Sequence, residues 1–420
     1  MAEPTIEEFR DEVTAFLDAN AERKPEARAD QTFVWGEGGD DVAVLEEKPR
    51  DVELAELAEA KVWKAKRYDA GFGWITGPKQ YGGRELPVAY DRAYASLEGN
   101  YLIPSQSSFG IGLGMVAPTI LAHATDKVKD LYLAKMYRGD LVGAQLFSEP
   151  GAGSDLAGLQ TKAVKDGDEW IVNGQKVWTS GAHYSDIGEV ICRTDPDQPK
   201  HRGLTGFVVD MRAPGVDIRP LRQMTGGASF NEVFFTDVRI PDDHRLGDVG
   251  QGWAVALTTL MNERASIGAG SGSGMGLGNG TRLIEMIRHF GLEDDPLTRG
   301  ELAKLYENLQ VAKWNNQRAM DKVKSGQAPG PEMSIAKMAL TRNMQMTAEF
   351  VAKVLGPRMV ADTGEWGTYA WNKFLLGVPG MRVAGGTDEV LRNIVSERVL
   401  GLPKEPGIDT TSPFKDLAQN

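Results

Sequence analysis

Cysteine is nearly missing: the chain of 420 residues has one, Cys192, so an internal disulfide is excluded. The five histidines, at 123, 183, 201, 244 and 289, form no spaced ligand pair, and no metal site is expected. No apolar run approaches the about 18 residues of a membrane-spanning helix. The opening MAEPTIEEFRDEVTAFL lacks the basic start and apolar stretch of a signal peptide. A reducing, cytoplasmic setting is therefore expected. Basic residues are outnumbered, 47 Lys and Arg against 59 Asp and Glu; the formal charge of −12 repels a polyanion and argues against nucleic acid as a partner. Nucleotide-binding glycine signatures are also lacking. The glycine-dense GAGSGSGMGLGNG at 268–280 fits GxGxxG in no register and follows a helix rather than a strand, so it reads as a flexible or closely packed helix junction.

What is present is the composition of a folded protein, 41% hydrophobic and 25% charged, long enough for two or three domains. Residues 1–141 carry helical spacing, with Ile6, Phe9, Val13, Phe16 and Leu17 in one segment and Leu54, Leu57, Val62 and Trp63 in another. A polar insert at 21–50 separates them, and its GEGGDD run predicts an exposed loop. Over 142–247 the apolar residues come in short β-branched and aromatic runs, EWIVNGQKVW, EVICR, GFVVDM and EVFFTDVRI. Asp166-Gly167-Asp168 and Asn173-Gly174 predict tight turns between antiparallel strands, hence a barrel or sandwich. From 248 to 420 helical periodicity returns, over roughly 251–268, 281–290, 298–325, 332–356 and 386–400.

Four features suggest chemistry. In FSEPGAGSD (147–155) small residues let backbone amides approach a ligand while Ser148 and Ser154 offer hydroxyls; a plain strand-to-loop connection explains the same residues. Trp178-Thr179-Ser180-Gly181 sets an indole beside hydroxyls, suited to stacking on a flat ring, although a strand tryptophan is also a common core residue. On the helix at 251–268, Trp253, Leu257, Leu260 and Ile267 share a predicted stripe with Arg264 near its middle and Glu263 at its edge. A half-buried glutamate there would be pushed toward general-base range, and a charge pair at a seam is the competing explanation. Thr387, after Gly385-Gly386, can cap the last strong helix, leaving free amides suited to a pyrophosphate or simply an ordinary helix start.

Taken in this order, the pieces resemble the acyl-CoA dehydrogenase flavoproteins over most of the chain. The sharpest part is FSEPGAGSDLAGLQTKAVKDGDEWIVNGQKVWTSGAHYSD (147–186). The resemblance implies an α+β multidomain fold: an N-terminal α-helical domain (1–141), a central antiparallel β-barrel domain (142–247) and a C-terminal helical bundle (248–420). It also implies a homo- or hetero-tetramer with FAD at the seams.

By the same resemblance, Gln145, Phe147 and Ser148 would line the flavin, Trp178 and Ser180 would cover its ring and N5 edge, and Ser154 would face the acyl-CoA. Gly386, Thr387 and Glu389 match the part of the family pattern that contacts the FAD pyrophosphate and adenosine. Many members carry a catalytic glutamate where this chain has Gly385. The isovaleryl and long-chain branches instead place it on the helix after the β domain, followed by arginine, and Asn262-Glu263-Arg264 looks like that arrangement. Glu263 is thus the expected base, with Arg264 orienting it or holding neighbouring groups, and the Gly385 N–H and a flavin ribityl hydroxyl polarising the thioester carbonyl.

Other motifs drift. Arg288-His289-Phe290-Gly291 echoes the family's Arg-x-x-Phe-Gly with the arginine out of register, and Lys353-Val354-Leu355-Gly356-Pro357 stands for Gln-x-Phe-Gly-Gly. Such drift resembles bacterial members acting on bulky acyl-CoAs, steroid side chains included. The expected function is FAD-dependent α,β-dehydrogenation of an acyl-CoA, with electrons passed to an electron-transfer flavoprotein. Two alternatives are a non-catalytic subunit completing a partner's flavin site and a flavin oxidase or monooxygenase on the same scaffold.

Overall fold

A computed structural model describes residues 3–25, 33–44, 48–270, 280–324, 330–331, 333–404 and 409–417; the side chains of 264–270, 320, 323–324 and 333 lie outside that description. Helix α1 (Ile6–Asn20) starts at a reciprocal cap, in which the Thr5 hydroxyl accepts from the Glu8 amide and the Glu8 carboxylate accepts from the Thr5 amide. Its apolar spacing works as the sequence predicts. Phe9, Val13 and Leu17 are buried against Trp63 of α2 (Arg50–Asp69) and against Tyr90 and Tyr94 of α3 (Val88–Glu98). The two-residue strands β1 (Glu22–Arg23) and β2 (Tyr101–Leu102) pair beside them. A π-helical turn, Gly112–Val116, leads into α4 (Ala117–His123) and then α5 (Asp126–Arg138). A Cβ on Gly112 would stand 2.9 Å from the Gly143 nitrogen, so glycine is needed for the turn to lie on the first strand of the β region.

That region holds β3 (Gly143–Leu146), β4 (Lys162–Asp166), β5 (Glu169–Ser180), β6 (Ile187–Arg193), β7 (Leu204–Asp210), β8 (Val216–Leu221), β9 (Phe230–Pro241) and β10 (Arg245–Leu246). The Gly167-Asp168 turn does join antiparallel strands, since Asp166 pairs with Glu169. Asn173-Gly174 does not. It lies within β5 at a bulge, where a side chain on Gly174 would meet Thr161 Oγ1 at 2.4 Å; close approach, not chain reversal, requires the glycine. The pairing path runs β10-β7-β6-β4-β5-β9-β8, and β3 pairs in parallel with β6, as does Lys162 of β4 with Arg193. The sheet is therefore open and mixed, where the sequence predicts an antiparallel barrel. Strand β3, which follows α5, lies along the same edge of β6 as β4.

The C-terminal part comprises α6 (Gly252–Gly270), α7 (Thr281–His289), α8 (Pro296–Lys324), α9 (Met333–Leu355), α10 (Ala370–Val383) and α11 (Asp388–Arg398). Helix α10 is not among the sequence expectations, as Gly377, Pro379 and Gly380 interrupt its pattern; it buries Trp371, Phe374 and Val378 even so. Of the glycine-dense 268–280, α6 extends to Gly270 and residues 271–279 lie outside the described residues.

The polar insert differs from a simple exposed loop. Its tip Gly36–Gly39 is exposed, but Val42 is buried in the core of α7, α9 and α10. Trp35 stacks on His289 with centroids 5.3 Å apart and meets Trp366 edge-on at 5.0 Å. Arg282 donates to the Asp40 carbonyl, and the Gly367 amide donates to Asp40 Oδ2 at 3.0 Å. The insert is a clamp across the helical bundle.

Candidate active site

The site candidates gather where β3 and β5 end. The Val177 amide donates to the Ser148 carbonyl at 2.9 Å, which joins the segment after β3 to the last turn of β5. Phe147 is buried and Ser148 is half-buried. Next to them Trp178 has a left-handed backbone, φ +61°, and an indole 57% exposed although its neighbours Val177 and Thr179 are buried. A bulky residue in that conformation costs of order 1–3 kcal/mol and persists only where its surroundings enforce it. Here a register shift between Lys176 and Thr179 enforces it and turns the ring outward, with Phe230 against its edge at 5.8 Å.

Beyond Ser180 the chain is fixed from several sides. Asn231 Nδ2 donates to the Thr179 carbonyl at 3.1 Å and lies 3.1 Å from His183 Nδ1. Burial, aided by Arg50, lowers His183 to about 4, so the ring is neutral at pH 7 and donates from Nε2 to Glu53 at 2.7 Å.

The loop after Ser148 rests on a buried ion pair that the sequence reading missed. Lys176 Nζ donates to Glu149 Oε1 at 2.8 Å and to the Phe147 carbonyl at 3.0 Å, while Glu149 also accepts from the amides of Gln160 and Thr161. Burial by itself would raise the Glu149 carboxyl, but the Lys176 ammonium and the bonds from Thr161 and Gln160 outweigh it and hold the group below its ordinary value. Two backbone bonds close the Glu149–Ala152 turn, the carboxylate ties its base to Gln160 and Thr161, and Ser154 is exposed at its outer edge. The signal in the sequence is a lysine on the inward side of an apolar strand.

Glu263 comes to this group from α6. Its Oε2 lies 3.5 Å from Gln145 Nε2, long for a hydrogen bond but enough to place the half-buried carboxylate beside β3. The predicted stripe on this helix packs inward only in part: Trp253 and Leu260 are half-buried against the core, and the side chain of Ile267 lies outside the described residues. Leu257 is exposed, and the buried residues are Val255, Ala256 and Thr259. The physical reason is proximity: a Cβ on Gly252 would stand 2.5 Å from the Thr205 nitrogen, so small residues let α6 lie close on the sheet where bulky ones could not. The backbone of Arg264 continues α6, and its side chain falls outside the described residues.

The C-terminal motif sits apart on α9–α11. Gly385 and Gly386 both have positive φ, +65° and +93°, and turn the chain from α10 into α11. The Thr387 hydroxyl caps the helix by accepting from the Val390 amide at 3.2 Å. Lys337 of α9 donates to the Gly386 carbonyl at 2.8 Å and pairs with buried Asp388, which also takes Arg382 at 2.9 Å. Glu389 is exposed and pairs with Arg392 at 3.4 Å. The hydrogen bonds and ion pairs described for this motif stay within α9, α10 and α11. Gln145, Ser148, Trp178 and Glu263 are thus brought together around β3, and Gly385–Glu389 form a second centre.

Comparison with known proteins agrees over nearly the whole chain. Family models for the acyl-CoA dehydrogenase N-terminal, middle and C-terminal domains match residues 43–140, 144–238 and 250–400. Acyl-CoA dehydrogenase IpdE1 of Mycobacterium tuberculosis is 35% identical over 83% of this chain and 89% of its own length. Acyl-CoA dehydrogenase FadE34 of the same organism is 37% identical over 87% of this chain, which spans only 47% of that longer protein. Among solved structures, the Tcur3481-Tcur3483 steroid ACAD is similar with a TM-score of 0.69 at 26% identity, covering 96% of this chain and 99% of that one. The ChsE4-ChsE5 complex from Mycobacterium tuberculosis gives 0.67 at 26%, with 96% and 99% covered. The chain belongs to the acyl-CoA dehydrogenase family, whose members are flavoproteins, and it is an oxidoreductase. No described helix is long and apolar enough to cross a membrane.

Proposed function

We propose that the protein is an FAD-dependent acyl-CoA dehydrogenase that introduces a trans α,β double bond into an acyl-CoA, with an electron-transfer flavoprotein receiving the two electrons. The carrying observation is Glu263 standing beside Gln145, on the strand that leads into Phe147 and Ser148. The residues present fit FAD. An exposed indole on an enforced backbone suits a flat ring, the hydroxyls of Ser148 and Ser180 suit its polar edge, and the Thr387-capped start of α11, with Gly386 and Glu389, suits a pyrophosphate and adenosine.

When bound, FAD supplies the hydride acceptor. The protein's part is to hold the thioester and take one proton. Glu263 removes the proton α to the carbonyl, Gln145 fixes that carboxylate over β3, and Arg264 orients it. The Gly385 N–H is the backbone donor that the family pattern offers to the thioester oxygen, a role that requires the substrate to bridge the β3 group and the C-terminal motif. Ser154, at the outer edge of the Glu149–Ala152 turn, faces the acyl-CoA. A bulky acyl group, such as a steroid side chain, is the proposed substrate class, supported by the similarity to a steroid ACAD.

The purified protein is expected to be yellow and to bleach anaerobically with the right acyl-CoA; a panel of chain lengths and ring-bearing thioesters identifies it. A second reading, in which the chain completes a flavin site shared with an unlike subunit, is favoured by the paired names of two similar structures. A colourless protein that turns yellow only with a partner subunit would select it.

A further inference from the structure

The loop carrying Ser154 is held from behind by two buried cations. Lys200 Nζ donates to both Asp155 carboxylate oxygens, at 2.7 and 2.8 Å. Arg193, the last residue of β6, donates from Nη2 to the carbonyls of Ala157 (2.6 Å) and Leu159 (3.3 Å) and from Nη1 to the Lys200 carbonyl (2.7 Å). Burial draws Arg193 down to about 10 against the pull of Glu149, Asp155 and Asp195, so it stays charged at neutral pH. Its guanidinium edge grips the loop. Its flat face is covered by a ring from the far end of the chain, with Phe414 centred 3.7 Å from Arg193 Cζ and only 8% exposed.

Phe414 is delivered by an ordered C-terminal segment. The Phe414 amide donates to the Gln198 carbonyl at 2.9 Å and the Lys415 amide to the Pro196 carbonyl at 3.0 Å. Pro413 bridges to Pro199, and Lys415 Nζ lies 2.6 Å from Asp197. The segment therefore grips the 195–200 turn, whose last residue, Lys200, holds Asp155.

We propose that residues 409–417 form a strap that positions the substrate-facing loop, with Phe414 a positioning residue that acts on Ser154 and Asp155 through Arg193. This rests on the reading of Ser154 as facing an acyl-CoA. Water and protein compete for the guanidinium. Arg193 Nε is buried without a hydrogen-bond partner, and the guanidinium face has Phe414 as its cover. Removing the ring admits water to that face and to Nε, frees the side chain to rotate, and weakens its bonds to the Ala157 and Leu159 carbonyls.

The test uses the full-length protein with Phe414→Ala, and Phe414→Tyr as the conservative variant. Amide hydrogen exchange across 151–161 is expected to accelerate about tenfold in Phe414→Ala and to return toward wild type in Phe414→Tyr. Free coenzyme A, titrated calorimetrically, is expected to bind Phe414→Ala about tenfold more weakly, and in the bleaching assay KM should rise by more than kcat falls. Unchanged exchange over 151–161 overturns the strap, as does faster exchange with unaltered coenzyme A affinity. If Phe414→Ala does not fold, Lys415→Ala, which removes the Asp197 pair alone, must reproduce the effect in smaller degree or the strap is rejected. Should wild type bind no coenzyme A, the acyl-CoA reading fails, and exchange alone then decides whether the strap holds the loop.

Discussion

Thr259 donates a 2.6 Å hydrogen bond to Glu189 Oε1 from one helical turn before Glu263 on the same helix. Glu189 lies on β6 with Gln145 as its register partner on β3, so the strand residue next to Glu263 and the buried carboxyl are neighbours across one ladder. Thr119 of α4 completes the contact, its hydroxyl 2.8 Å from that of Thr259. Helix α6 is tied to the sheet and to α4 at the turn that leads to the proposed base.

Glu189 is fully buried, and its second oxygen has no hydrogen-bond partner. Burial pushes its carboxyl up to about 8, against the weaker effect of the Thr259 bond, so it is neutral at pH 7. The folded state then keeps a proton that the unfolded chain loses above its ordinary value of 4.5. Stability is expected to fall as pH rises from that value to about 8, by about 1.4 kcal/mol per pH unit at most, and to level off beyond. Glu189→Gln should flatten this dependence and exceed wild type most at the alkaline end. Urea unfolding at several pH values measures it, and parallel slopes for the two proteins would count against a neutral Glu189.

The Lys176–Glu149 pair gives a second expectation. Lys176→Met leaves a buried carboxylate without its cation and should cost about 3–5 kcal/mol. Adding Glu149→Gln should recover part of the loss, because no uncompensated charge then remains. Denaturant melts of the single and double variants, run as a cycle, measure the coupling. Additive losses would mean that the two side chains do not act as a pair.

At the other end of the molecule, Trp35→Ala removes the ring that stacks on His289 and meets Trp366, and should destabilise the fold by about 2–4 kcal/mol. Thermal and chemical unfolding check this. A loss within about 0.5 kcal/mol, as for an ordinary surface site, would show that the insert adds little to the bundle.

Much of the architecture was legible because periodicity and bulk acted together, as in α1 and in the continuous apolar run of β7. Legibility failed where backbone proximity decided the outcome. Helix α6 buries Val255, Ala256 and Thr259 most deeply, since Gly252 lets it sit on β7, and of the bulky residues only Trp253 and Leu260 reach that core while Leu257 is exposed. Gly174 has the signature of a turn but serves a close approach to Thr161. Trp35 and Val42 sit among glycines and aspartates, so the half-burial of one and the burial of the other arise from a clamp onto helices far along the chain.

For the site, FSEPGAGSD, WTSG and Asn262-Glu263-Arg264 were visible as motifs. The supports beneath them, Lys176, Glu189 and Arg193, were not. Each is a charged residue in a largely apolar strand, Lys176 on β5 and Glu189 and Arg193 both on β6, and its meaning depends on what the opposite element brings, which only the assembled fold reveals.

Reduction of the bound flavin by acyl-CoA in Glu263→Gln, followed anaerobically by stopped-flow absorbance, decides whether Glu263 is the base. The variant is expected to keep its yellow colour and its ligand affinity while the ring is reduced about 10³-fold more slowly. Reduction at close to the wild-type rate would contradict Glu263 as the group that takes the α proton.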